Sequence, residues 1–255
     1  MYQIHIYDKQ EIKQKYQFNK EDLQNDYKLW IDLEDPTFDE IFKIVEIFGI
    51  DKKILNQYFN ISTKSQLRFV ENYDFTVILN IKVIPFQVLE TEPIYLVNGR
   101  NWLITIHSST INLKERMHNI FKNDTSVYEL PIDTLYYSII STILEDYTQL
   151  LSTIEIAMTD FQGESLYNPS KEISAKIKNL SQNIISLRNE FLKLREIFNL
   201  LLNKQEKTKK KEDIFYLKTI CNRIKELMDL IEIHKKTLDS IRELYNSYSL
   251  FYKLI

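Results

Sequence analysis

The sequence predicts an α+β chain: a layered α/β domain, followed by long helices packed as a coiled-coil-like bundle or stalk. Three observations predict it. Strand-like and helical runs alternate over residues 1–128, strand signals stop from 129 onward, and two apolar seams then recur at steps of three and four.

The elements follow in order. "YQIHIYD" alternates like a strand. "LWIDLEDPTFDEIFKIVEIFG" reads as a strand ending at Leu33, a turn at Asp35-Pro36 and a helix closed by Gly49. Thr37 is its N-cap, and Glu40 three residues on completes a capping box. "NYDFTVILNIKVI" is rich in β-branched and aromatic residues and reads as a long strand. In "EPIYLVNGRNWLITIH" two alternating runs flank Asn98-Gly99, a pair suited to the positive φ angles of a tight hairpin turn. Three or four strands with helices between them make an α/β layer.

Three helical segments follow, broken near "GESLYNPS" (163–170) and "NKQEKTKKKED" (203–213). In the second, Ile173, Ile177, Leu180, Ile184, Leu187, Phe191, Leu194, Phe198 and Leu201 step alternately by four and three. A straight helix drifts off that period, so an unbroken seam implies coiled-coil-like packing. The last segment, about 213–255, carries the same steps from Leu217 through Ile220, Ile224, Leu227, Ile231, His234, Leu238 and Ile241 to Tyr245, Tyr248, Tyr252 and Ile255. It would be roughly 60 Å long at about 1.5 Å per residue. Such a seam serves either an internal three-helix bundle or a stalk that also packs against its own copies.

Composition excludes several classes. A net charge of −3 gives no global basic field for nucleic acid, and one cysteine, Cys221, rules out a disulfide framework. Three glycines leave no glycine-rich phosphate loop. No signal-peptide core opens the chain, and no run reaches the ~18 apolar residues of a membrane span. The soft ligands His5, His107, His118, His234 and Cys221 lack metal-site spacing. His107 ends a strand and reads as structural. His234 falls in the heptad seam as a polar register device; on a symmetric axis its protonation would make assembly pH-sensitive. The adjacent acids Glu145 and Asp146 flank the stripe Ile143, Tyr147, Leu150, Ile154, as a solvated face or as a metal contact. No nucleophile has a positioned base, so the chain is not expected to be an enzyme and needs no cofactor.

Four stretches, in order, resemble the cytoplasmic domain of the CorA-like family of divalent-cation channels. "LWIDLEDPTFDEIFKIVEIFGID" is similar to its Trp-(Ile/Val)-(Asp/Asn)-(Leu/Ile) strand and the helix ending Phe-Gly-Ile. "LRFVENYDFTVI" resembles its Tyr-x-Phe strand, "NWLITIH" its Leu-(Ile/Val)-Thr-(Val/Phe)-His strand, and "YLKTICNRIKELMDLIEIHKKTLDSIRELYNSYS" its final stalk helix. The resemblance implies an α/β/α layered domain with a mixed sheet, and homopentameric self-association through the C-terminal helix at the cytoplasmic face of the cell membrane. It also implies spans carrying a Gly-Met-Asn signature, which these residues lack. The apolar close "SLFYKLI" is then expected to approach a membrane entrance.

The family's regulatory cation sites are built from carboxylates between subunits, as a hard cation requires. Here the corresponding positions read Asn56, Gln57, Thr219 and Asn222, and "LEDY" alone keeps its acids, Asp146 with Glu145 beside it. The resemblance therefore implies weak binding of Mg²⁺ or Co²⁺. A soluble scaffold or binding protein descended from the family is the alternative reading.

Overall fold

The computed structural model describes residues 2–7, 12–15, 28–53, 64–82, 86–113, 115–117, 131–167, 171–208 and 211–254. Its strands are β1 (Tyr2–Tyr7), β2 (Ile12–Lys15), β3 (Lys28–Glu34), β4 (Gln66–Phe69), β5 (Tyr73–Lys82), β6 (Glu90–Gly99) and β7 (Trp102–His107). The helices are α1 (Phe38–Ile47), α2 (Ile132–Tyr167), α3 (Lys171–Thr208) and α4 (Lys211–Leu254).

One sheet of seven strands runs β2-β1-β3-β7-β6-β5-β4. Among the described strands only β3 and β7 are parallel neighbours, and every other pair is antiparallel. The seven described strands exceed the three or four expected; five of them fall on the strand-like runs named in the sequence, and two are additions. The additions β2 (Ile-Lys-Gln-Lys) and β4 (Gln-Leu-Arg-Phe) are four-residue edge strands; β2 is too polar to alternate, and the alternation in β4 is too short to stand out.

Alternation along the inner strands gives the sheet two apolar faces. Leu29, Ile31, Phe75, Val77, Val97 and Ile104 pack with Ile41, Ile44 and Val45 of α1. Trp30, Ile78, Leu96 and Leu103 point the other way into a core shared with all three long helices. The result is the α/β/α layering that the period-2 pattern requires.

α1 has both ends that its sequence promises. Thr37 Oγ1 accepts from the Glu40 N–H at 3.3 Å, and Glu40 Oε2 accepts from the Thr37 N–H at 2.9 Å. At the far end Gly49 takes φ +64°, Ile50 N–H donates to the Val45 carbonyl at 2.9 Å and Gly49 N–H to Glu46 at 3.4 Å. That is the Schellman closure, which favours glycine at the left-handed position.

The β6–β7 hairpin forms, but not around Asn98-Gly99. Asn98 pairs with Leu103, which leaves Arg100 and Asn101 as the connection, and Gly99 has no positive φ. Gly99 answers a different need: a Cβ there would overlap the Trp102 indole. That ring in turn stands 4.8 Å from Phe48 and 6.3 Å from Tyr73.

The α3 seam is buried at every one of its nine expected positions, and the α4 seam from Leu217 to Ile241 packs inside the same chain. His234 is part of it, with Nε2 donating to the Leu151 carbonyl of α2 at 3.1 Å. It faces a neighbouring helix of its own chain and not a symmetric axis, because the seam's apolar neighbours bury inward. Tyr245 is half-buried and Tyr248 is exposed; the side chains of Phe251, Tyr252, Leu254 and Ile255 lie outside the described residues. Polar ties join the layers: Thr76 Oγ1 and Tyr136 OH meet at 2.8 Å, and Lys204 Nζ donates to both Asp74 oxygens at 2.6 and 2.7 Å.

Candidate functional site

Two of the four motifs that carry the family resemblance, on β3 and β7, converge on one buried chain of hydrogen bonds. Trp30 Nε1 donates to Thr105 Oγ1 at 2.9 Å, and Thr105 Oγ1 donates to Asp32 Oδ1 at 2.5 Å. His107 Nε2 stands 3.0 Å from the same oxygen, and its Nδ1 is 2.8 Å from the Ser108 carbonyl. Burial would lower the His107 pKa; the hydrogen bond and charge of Asp32 outweigh it and leave it raised. With acceptors at both nitrogens, the protonated ring satisfies both. These four residues lock parallel strands β3 and β7 together, so the signature is structural, as expected for His107.

The residues suggested for cation binding are distributed differently. On α2, Ser141 and Glu145 are one turn apart; on α4, Thr219, Asn222, Arg223 and Glu226 share one face. The two faces enclose a cleft of about 430 Å³ lined by these six residues and by Leu144 and Ile220. Three sequence-named positions, Glu145, Thr219 and Asn222, therefore meet in space although some 75 residues separate them along the chain. Asn56 and Gln57 lie outside the described residues.

Asp146 does not join them. Successive helical residues diverge by about 100°, and Asp146 turns to Arg116. Arg116 Nη1 donates to its Oδ2 at 2.5 Å, and Nη2 to its Oδ1 at 2.8 Å and to the Thr142 carbonyl at 2.9 Å. This two-pronged fork is the geometry at which a guanidinium matches a carboxylate. Glu145 and Asp146 thus cannot hold one ion together. Sequence reasoning missed Arg116, because a partner 30 residues away leaves no periodic signal.

The cleft has a cation of its own. Arg223 Nη1 donates to Glu226 Oε2 at 3.0 Å, and Nη2 to Thr148 Oγ1 at 3.1 Å. Thr219 Oγ1 donates to the Phe215 carbonyl at 3.1 Å. As a holder of Mg²⁺ the donor set fits poorly: one carboxylate is committed to Arg223, and the amide and hydroxyl bring no charge. Among the described residues no group of three or more His, Cys, Asp or Glu could hold a metal ion.

α4 also carries an outward stripe. Phe215, Leu230, Ile233, Leu244 and Tyr248 are exposed, Phe215 by 69% and Ile233 by 56%. They fall within an arc of about 60°, on the same side as Thr219 and Glu226 and about 120° round from the buried seam.

Comparison with known proteins agrees with this architecture. Residues 25–250 match the family model described as CorA-like Mg²⁺ transporter protein. The chain is 23% identical over 214 residues to the cobalt/magnesium transport protein CorA of Thermotoga maritima, covering 82% of this chain and 60% of that protein. It is 25% identical over 222 residues to the cobalt/magnesium transport protein CorA of Methanocaldococcus jannaschii, covering 86% of this chain and 69% of that one. The solved soluble domain of CorA from Methanocaldococcus jannaschii shares the fold, with a TM-score of 0.81 at 20% identity over 96% of each chain. Among the described residues no helix is long and apolar enough to cross a membrane.

Proposed function

The chain belongs to the CorA-like Mg²⁺ transporter family, and on that premise we propose that it is the cytoplasmic, oligomerising domain of a divalent-cation channel. The observation that carries this reading is the double-sided α4. Its inner seam is consumed by the bundle of its own chain, yet a second apolar stripe runs along the outside of a helix roughly 66 Å long at about 1.5 Å per residue. A rod with two apolar faces is built for neighbours on both sides. Its occupants are further copies of the same helix, arranged around a cation pathway as a homopentamer at the cytoplasmic face of the membrane. The membrane part belongs to the portion of the relatives that this chain does not match, which is two fifths of the Thermotoga maritima protein.

Divalent binding to the domain itself is weak on this reading. Glu145 is its main carboxylate ligand, with Thr219 and Asn222 as neutral oxygen donors, and Asp146 is withheld by Arg116. The activity proposed is movement of Mg²⁺ or Co²⁺ and not catalysis.

Light scattering on the purified chain tests the assembly: the expected mass is five times 30.7 kDa, and a monomer at high concentration would sink the oligomerising role. Flux of Mg²⁺ into liposomes carrying the full gene product tests transport. Absence of flux would remove the channel reading while leaving the assembly standing.

A further inference from the structure

A second cavity, of about 580 Å³, opens between the bundle side of the sheet and α3, and shares no residue with the α2–α4 cleft. Its size lies in the range of small-molecule pockets, roughly 300–1,000 Å³. Leu79 and Ile81 of β5 and Val88 and Leu89 ahead of β6 form its apolar wall.

The wall is held in place by a polar frame. Asn179 Nδ2 donates to the Phe86 carbonyl at 3.0 Å, and Asn183 Nδ2 to the Gln87 carbonyl at 2.7 Å, while Asn183 Oδ1 accepts from the Leu89 N–H at 3.2 Å. Phe86 itself sits at φ +66°, a conformation that a bulky residue keeps only where its surroundings impose it. Lys176 stands 5.5 Å from its ring centre. With the backbone so pinned, Val88 remains 66% exposed at the rim. This is a cavity whose shape exists before anything enters it.

Charge is distributed along it. At the inner end lies Glu190, 5% exposed, accepting from the Ser65 N–H at 3.4 Å and from the Ser65 hydroxyl. It forms no ion pair among the described residues, and a carboxylate has about four acceptor positions, of which Ser65 uses two. Burial pushes its pKa up despite those bonds, as expected of an anion without a counter-charge. At the rim Lys193 is neutralised by Glu196 at 2.8 Å, while Lys64 is an exposed cation. The α3 side chains Gln182, Ser186 and Asn189 complete a polar mouth.

We propose that this cavity binds a small zwitterion with an apolar body, of the amino-acid class, its ammonium on Glu190 and its carboxylate towards Lys64. A simple anion would meet Glu190 inside, and a simple cation would meet Lys64 at the rim. Lys64 adjoins Ser65, the residue bonded to Glu190, so a ligand with ammonium and carboxylate on one carbon faces both charges while its apolar body covers the wall. The site is independent of the channel reading.

Calorimetric titration of the chain with L-phenylalanine, phenethylamine and 3-phenylpropionate separates the contributions of the two charges. The expected result is saturable binding of L-phenylalanine, with each singly charged analogue weaker by about tenfold or more. Glu190→Gln should weaken L-phenylalanine about tenfold. Ser186→Trp, at an exposed α3 position on the rim, should abolish binding with the helical circular dichroism unchanged. If Glu190→Gln does not fold, Ser186→Trp decides alone. No saturation up to about 10 mM, equal affinity for all three compounds, or full binding by Ser186→Trp would each overturn the proposal.

Discussion

Arg116 illustrates how a single side chain settles what a carboxylate can do. Asp146 is in the right helix for a cation contact, but a guanidinium already engages both its oxygens, and both side chains are 28% exposed. Arg116→Met keeps the aliphatic stem and removes the fork; the expected loss is about 1–2 kcal/mol, below the usual range for charged hydrogen bonds because water partly screens the pair. Urea unfolding measures it, and an unchanged midpoint would show that the clamp contributes nothing. His234 makes a different kind of statement. Burial holds its pKa below the ordinary 6.5, outweighing the Leu151 carbonyl and the charge of Glu155. The unfolded chain therefore binds the proton more tightly, so stability is full above about 6.5 and declines as pH falls towards the folded value. His234→Gln can still donate to Leu151 but cannot titrate, and should flatten that acid-side decline in thermal melts. Because the ring faces α2 of its own chain, pH acts on the bundle and not on a ring of like charges between subunits.

At the scale of elements, the helix ends and the hairpin make the sharpest contrast. The capping box and Gly49 were legible because they are local devices, each written within about five residues of chain. Thr37→Ala should cost about 1 kcal/mol, readable as a lowered urea midpoint. The β6–β7 hairpin was legible as a pairing, but its turn lies two residues beyond Asn98-Gly99. Gly99 is required by the Trp102 ring, a contact that propensity cannot show. Gly99→Ala must displace that indole from Phe48 and Tyr73, with an expected cost of about 1–3 kcal/mol. A matching loss of tryptophan near-ultraviolet dichroism would identify the cause, and a wild-type spectrum would refute it. The edge strands β2 and β4 were not read because β2 does not alternate and four residues are the shortest run in which a period can be seen.

At the scale of the molecule, the sheet and the long helices share one core, so neither half buries its apolar surface alone. The rotation of α4 within that core decides which residues are left outside. Ile233→Glu with Leu244→Glu should abolish self-association, dropping the mass in light scattering to that of one chain. The circular dichroism should stay unchanged, because both residues are already exposed. Loss of the helical signal would instead show that the outer stripe supports the fold. The sequence by itself determined the class of the fold, the inner seams, the caps and the family, since each rests on spacing along the chain or on ordered motifs. Only the tertiary structure decided the rest. It brought Glu145, Thr219 and Asn222 into one cleft, gave Asp146 to Arg116, turned His234 inward and left a second apolar stripe on α4. These outcomes depend on how each helix is rotated about its axis and on contacts across tens of residues, and a one-dimensional period is blind to both.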